Sequence, residues 1–210
     1  MNISKLIFFP KSTDNTFDSQ SILNTLTKSQ FIISEEHQPN HYLPGERFLS
    51  LITFLGCSPN INLFPVDGEN HCFISFMEPT EFPSCVGYTK TANPKCPNCT
   101  KRIADWKISD WQLPGGILPG ENSPGKLLPE KLLPGKLLPG EILPGKLCTC
   151  DKCQVQTPYT ELNWKHECGF ARCGFVVNHI YPHEALPTDP LLDLLKQAAG
   201  FEWDYSYANN

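Results

Sequence analysis

An α+β fold carrying a cysteine-rich insertion is the class this sequence predicts, on three observations. Strand, helix and strand patterns recur near both ends of the chain. Two Cys-x-x-Cys motifs, Cys96/Cys99 and Cys150/Cys153, occupy its middle. Of the 50 residues between those motifs, 35 belong to a proline-punctuated five-residue repeat. A length of 210 residues suffices for one medium domain and a small module, and not for two large domains.

Residues 5–9 read as a first strand, and residues 19–30 as a helix with Ile22, Leu23 and Leu26 on one side. The apolar run 48–55 follows Leu43-Pro44-Gly45 and stops at Gly56; its spacing suits a buried helix better than a strand. Residues 61–64 and 72–76 predict a short pair of strands about the turn Asp67-Gly68. Residues 175–181 predict a further strand. Thr188 or Asp189 then caps a helix with Pro190 in its first turn, Leu191, Leu195 and Ala198 on one face, and Gly200 as its stop. Phe201, Trp203, Tyr205 and Tyr207 alternate with Glu202, Asp204 and Ser206, the pattern of a strand with one aromatic and one polar face. Such a face is expected to pack on the core rather than to stack nucleotide bases. The order is ferredoxin-like in outline: a discontinuous α+β domain, residues 1–92 and 161–210, closed around an inserted module at 93–160.

Within that module, residues 113–147 carry Pro114, Pro119, Pro124, Pro129, Pro134, Pro139 and Pro144 at strict intervals of five, most followed by Gly. Proline removes a backbone donor and glycine lowers the cost of positive φ, so each Pro-Gly predicts a type II turn through which neither helix nor sheet can run. The turn logic resembles that of the elastin pentapeptide. A solenoid needs units of about 20 residues or more. The expectation is a disordered, low-complexity expansion in the tip of a surface hairpin, because loop-closure entropy rises slowly with length.

With the repeat set aside, the cysteine pattern tightens to Cys-x2-Cys-x15-Cys-x2-Cys, the spacing of a four-cysteine zinc site. Each short turn points two thiolates at one spot, and the intervening hairpin brings the turns together. The expected ligands of Zn2+ are Cys96, Cys99, Cys150 and Cys153. Four thiolates close the shell, leaving no position for water or substrate, so the metal is expected to be structural. Structural zinc contributes on the order of 10 kcal/mol to modules too small to fold otherwise. Cys148 offers a third thiol for two places; Cys150 is preferred because Cys150/Cys153 repeats the first turn's geometry. His166, Cys168 and Cys173, with His179 and His183, form an alternative second metal set, but their spacing matches no ribbon and Pro182 keeps His179 and His183 off one helical face. Cys57, Cys72 and Cys85 lie in or beside apolar runs and are expected in the core. Trp106, Trp111 and Trp164 are expected to pack the module against the main domain.

Cys96-Pro97-Asn98-Cys99-Thr100 and Cys150-Asp151-Lys152-Cys153-Gln154 resemble the knuckles of a zinc ribbon, a resemblance that covers residues 93–160. Residues 43–59 resemble a segment of uncharacterised bacterial proteins that carry a zinc ribbon within a larger α+β body. That likeness implies an architecture and no activity. Cys-Pro-Asn-Cys also resembles the active turn of glutaredoxin-like enzymes, where a low-pKa thiol at a helix start attacks disulfides. A second Cys-x-x-Cys at metal spacing speaks against thiol-disulfide exchange by Cys96 and Cys99.

The formal charge is -5, and -6 without the repeat, in which Lys126, Lys131, Lys136 and Lys146 outnumber Glu121, Glu130 and Glu141 by one. An acidic chain argues against a non-specific grip on nucleic acid. Lys90, Lys95, Lys101 and Arg102 nevertheless bracket the first cysteine turn, with Asp105 and Asp110 close by. The sequence contains no His-Glu-x-x-His, no Gly-x-Ser-x-Gly and no phosphate-binding glycine loop. No stretch approaches the roughly 18 apolar residues of a membrane span, and the N-terminus has four consecutive apolar residues before Pro10 with no cleavage-like site. A reducing, cytoplasmic compartment is expected, in which paired cysteines favour metal over disulfide. The expected role is a non-enzymatic adaptor whose ribbon faces an unidentified protein partner, with nucleic-acid binding and thiol-disulfide exchange as its rivals.

Overall fold

A computed structural model describes residues 4–56, 61–65, 70–89, 92–103, 147–180 and 184–209. The Asp67-Gly68 turn, Cys57, Lys90, Asp105, Trp106, Asp110, Trp111, Tyr181, Pro182, His183 and repeat residues 113–146 lie outside them.

Strand β1 (Ser4–Pro10) is apolar on consecutive residues: Leu6 and Phe8 are fully buried on one face, Ile7 and Phe9 on the other. A strand that buries both faces belongs inside a sheet. It pairs antiparallel with β10 (Phe175–Ile180) on one side and β12 (Trp203–Asn209) on the other. Beyond β10 follow β5 (Phe73–Phe76), β3 (His41–Pro44) and β2 (Ile32–Gln38), giving the order β12-β1-β10-β5-β3-β2 with every neighbour antiparallel.

Two helices cover one face. Helix α1 (Ser19–Lys28) starts where the Asp18 carboxylate accepts the Gln20 and Ser21 amides at 3.4 and 3.0 Å, satisfying donors the helix cannot pair itself. It ends two residues short of the expected 30. Gln30 turns left-handed at φ 60° while Phe31 N–H donates to Leu26 O and Gln30 N–H to Thr27 O, each at 2.9 Å; this is a Schellman closure without its usual glycine. Helix α3 (Asp189–Ala199) has the expected Pro190 start and Gly200 stop, the latter at φ 80° with its N–H on Lys196 O. Thr188 precedes it, but its Oγ1 donates to Leu51 O at 3.0 Å rather than capping.

Ile22, Leu26, Leu191 and Leu195 meet Leu6, Phe8, Ile74, Phe175 and Val177 in the main core. Each such side chain contributes about 1.5–3 kcal/mol by leaving water. Trp203 and Tyr207 enter the same core, and Phe8 stacks on Phe175 at 4.7 Å. The aromatic face of β12 is therefore largely consumed by packing.

On the sheet's other face, β6 (Ser84–Tyr88) and β9 (Cys168–Ala171) pair antiparallel and cover Ile7 and Phe9 with Val86 and Ala171. Gly87 and Gly169 face each other across this pair. A Cβ on Gly87 would collide with Ser206, and one on Gly169 with the Phe9 ring. The glycine pair thus sets how closely the two layers approach.

The run 48–55 splits into one turn of helix, α2 (Phe48–Leu51), and a strand, β4 (Ile52–Phe54), which pairs with β11 (Ala185–Pro187). Phe48, Leu51 and Ile52 are buried, whereas Leu49 and Leu55 are exposed; half-exposed apolar residues, invisible to a hydrophobicity count, explain the difference. Residues 61–64 form no strand; Asn62 O accepts Cys72 N–H at 2.6 Å and Asn62 Nδ2 donates to Asn70 O at 3.3 Å. The chain is a mixed α and β protein built mostly from antiparallel sheet. No described helix is long and apolar enough to cross a membrane.

Candidate metal centre

Both cysteine turns have the same backbone. In the first, Cys96 N–H donates to Lys101 O and Thr100 N–H to Cys96 O, each at 2.9 Å. In the second, Cys150 N–H donates to Val155 O at 3.0 Å and Gln154 N–H to Cys150 O at 2.8 Å. Thr100 and Gln154, each following the second cysteine of its turn, are both left-handed, at φ 59° and 58°. The flanking strands match as well. Lys95 bridges Arg102 across the first turn, and β7 (Leu147–Thr149) pairs with β8 (Gln156–Pro158) across the second, Thr149 opposite Gln156. The two turns are repeats of one unit, each curling its two thiols inward.

The turns meet. All four Sγ atoms of Cys96, Cys99, Cys150 and Cys153 lie within 4.8 Å of one another. Cys96 and Cys153 stand 3.7 Å apart, Cys99 and Cys150 3.6 Å. A tetrahedral thiolate shell with metal–sulfur bonds of about 2.3 Å has sulfurs about 3.8 Å apart. Four sulfurs so placed can hold a metal ion.

Backbone amides favour the anionic form of two sulfurs, those of Cys150 and Cys153. The Val155 amide, with the Asn98 side chain, draws the Cys153 thiol down to about 6. The Cys153 and Lys152 amides lower Cys150 in the same way. Cys99 is the counterpart: the Lys101 amide pulls it down, but burial and the three neighbouring sulfurs carry it up to about 11. Clustered thiols without a cation cannot all ionise, which is the electrostatic reason such a group takes up a metal.

Cys148 lies outside the cluster. Its side chain is buried on β7 against Tyr159, and burial pushes its thiol up. Trp164 packs on Phe170 at 5.6 Å and donates Nε1–H to Tyr159 O at 2.8 Å, tying the module to β9. One buried cluster joins Cys96, Cys148, Cys150, Tyr159, Leu162 and Trp164 to Cys85, Cys168 and Phe170 on the β6–β9 pair.

Of the second cysteine–histidine set, His183 lies outside the described residues and the others are dispersed. Cys168 faces Cys85 at 3.5 Å, both buried. His166 stacks on Tyr205. Cys173 meets the backbone of Phe17, and His179 lies beside Phe73 at 5.5 Å. Cys72 and Cys85 are core residues, and burial holds the Cys72 thiol well above its usual range. Sequence reasoning missed Asn98, Thr100 and Gln154. Their common position after or within a cysteine pair was the available signal, but neither left-handed residue is a glycine.

Compared with known proteins, the chain matches no family model, no curated protein and no solved structure. Its chemistry has to be read from its own residues.

Proposed function

We propose that this chain is a zinc-binding, non-enzymatic protein-interaction or adaptor protein, whose ribbon at 93–160 is stapled by Cys96, Cys99, Cys150 and Cys153. The convergence of four sulfurs from two matching turns supports this reading most directly. With all four positions supplied by protein, the ion's work is to fix a rigid surface. Zinc is favoured because four thiolates in a tetrahedral set suit it. The body, residues 1–92 and 161–210, is proposed to be an expanded ferredoxin-like sheet in which β10, α3 and β12 form a split unit around β1. It would belong in the cytoplasm, where thiols stay reduced. A ribbon inside a larger α+β body is the organisation that the resemblance to uncharacterised bacterial proteins implies.

Metal analysis of the purified protein tests the centre. The expected result is about one zinc per chain, lost in Cys153→Ser and kept in Cys148→Ser. Loss of metal in Cys148→Ser alone would mean that the ligand set is wrong. The adaptor role predicts a co-purifying protein and no salt-steep affinity for DNA or RNA.

A nucleic-acid reading is the second, favoured by Lys95 standing opposite Arg102 on the ribbon. It requires that neutralising Lys95, Lys101 and Arg102 weaken DNA or RNA binding. Thiol-disulfide exchange would instead need Cys96 and Cys99, tolerate loss of Cys150 and Cys153, and leave the purified protein metal-free.

A further inference from the structure

Between the cysteine module and the edge of the main sheet lies a cavity of ≈140 Å³, lined among others by Lys11, Thr160, Asn163, Lys165, His166 and Asp204. The chain bends sharply beside it. Glu167 N–H donates to Trp164 O at 3.0 Å, and the two residues between, Lys165 and His166, are both left-handed at φ 53° and 63°. Each non-glycine residue in that region costs about 1 kcal/mol or more. A turn with glycine would be less strained, but it would lack the two side chains that line the cavity.

His166 is held firmly. Its ring lies flat on Tyr205 at 3.9 Å and 4°, and its backbone carbonyl accepts Tyr207 N–H at 2.9 Å. Nδ1 stands 2.9 Å from Tyr205 O and 3.3 Å from the Asp204 carboxylate. A carbonyl only accepts, so Nδ1 carries a proton; Nε2 only accepts in the neutral ring and donates to an anion when the ring is the imidazolium. Asp204, the carboxylate on the wall, is engaged by this pairing.

The cations continue outward. Lys95 is bridged on one side to Arg102 and on the other to Asn163, so the three side chains share one face. Lys165, in the turn that follows Asn163, approaches the Lys95 side chain closely. Like charges gathered beside a cavity are unfavourable until an anion sits among them.

We propose that this seam binds the phosphate group of a small molecule, inorganic phosphate or a phosphomonoester, between Lys11, Lys165 and His166, with Lys95 and Arg102 drawing the anion in. Thr160 and Asn163 add neutral hydrogen-bond donors. A compact cavity suits a terminal phosphate, whereas a nucleic-acid backbone needs an open groove. The site does not depend on the adaptor reading or on which metal the cysteines hold.

Amide NMR of the full chain as purified, titrated with inorganic phosphate and separately with phenyl phosphate, tests it. Saturable shifts are expected at residues 163–166 and 204–205. Lys165→Gln is expected to weaken binding by roughly tenfold, the worth of one charge-assisted hydrogen bond, and Lys11→Gln by a similar factor. Lys152→Gln removes the same charge from the second cysteine turn and is expected to change affinity less than about twofold. Tighter binding of phenyl phosphate identifies an ester as the ligand; equal binding identifies free phosphate. Metal content measured on each variant shows that the fold is intact. No saturable shift with either probe at millimolar concentration overturns the proposal. So does an equal loss in Lys165→Gln and Lys152→Gln, which would mean diffuse attraction. Tighter binding of single-stranded oligodeoxythymidine than of phenyl phosphate would also overturn it, in favour of a phosphodiester reader.

Discussion

Asp204 and the Tyr205 carbonyl both face Nδ1 of His166, and the Asp204 carboxylate chiefly raises the His166 pKa above its ordinary 6.5. A group raised on folding stabilises the fold fully below its unfolded pKa and loses that contribution as pH rises through the folded value. Asp204→Asn should therefore reduce urea resistance at pH 6 and far less at pH 9, and it should lower the His166 titration midpoint followed by NMR. Equal loss at both pH values would show that Asp204 acts by packing instead. At this scale the four clustered cysteines were legible, because a Cys-x-x-Cys turn points its sulfurs by local geometry alone. Cys148 could be set aside only in three dimensions, where β7 turns its side chain toward Tyr159. The pairing of His166 with Asp204 left no trace in the sequence, as 37 intervening residues carry no local signal.

Among the elements, helix ends marked by capping residues and strands with a clear apolar pattern were legible, β1, β5, β10 and β12 lying near their expected bounds, whereas the one-turn α2 and the unformed strand at 61–64 were not. Asp18, Pro190 and Gly200 mark helix ends by bonds made within a few residues. The stop at Gln30 was missed because a residue that disfavours left-handed φ occupies a glycine's place. Gln30→Gly should stabilise the protein by about 0.5–1 kcal/mol, the strain released less the added chain entropy, read as a higher thermal midpoint. Strands β2, β3, β6 and β9 are short or irregular in pattern, with register shifts in both pairs, so their partners define them more than their sequences do. The β6–β9 layer depends on the Gly87–Gly169 contact with the sheet. Gly87→Ala should cost about 1–3 kcal/mol by overpacking against Ser206, measured by denaturant unfolding; an unchanged midpoint would mean that the layers can separate freely.

For the whole molecule, the question is how a module interrupted by 35 repeat residues still closes. Lengthening a loop raises its closure cost only logarithmically, about 0.6 kcal/mol per doubling, while the two turns are built independently by their own hydrogen bonds. Deleting residues 113–146 should therefore leave metal content at about one ion per chain and leave thermal stability equal or slightly higher. Loss of metal on deletion would show that the repeat holds the turns in place. The sequence by itself determined the α+β class, the two terminal helices and the four sulfurs, because each follows from periodicity or from chemistry confined to a few neighbours. Tertiary structure alone decided the six-strand order, the layer of β6 and β9, the fate of Cys148 and the cationic seam around His166. Those features arise where residues far apart in the chain compete for the same space and the same hydrogen bonds, and nothing local records who wins.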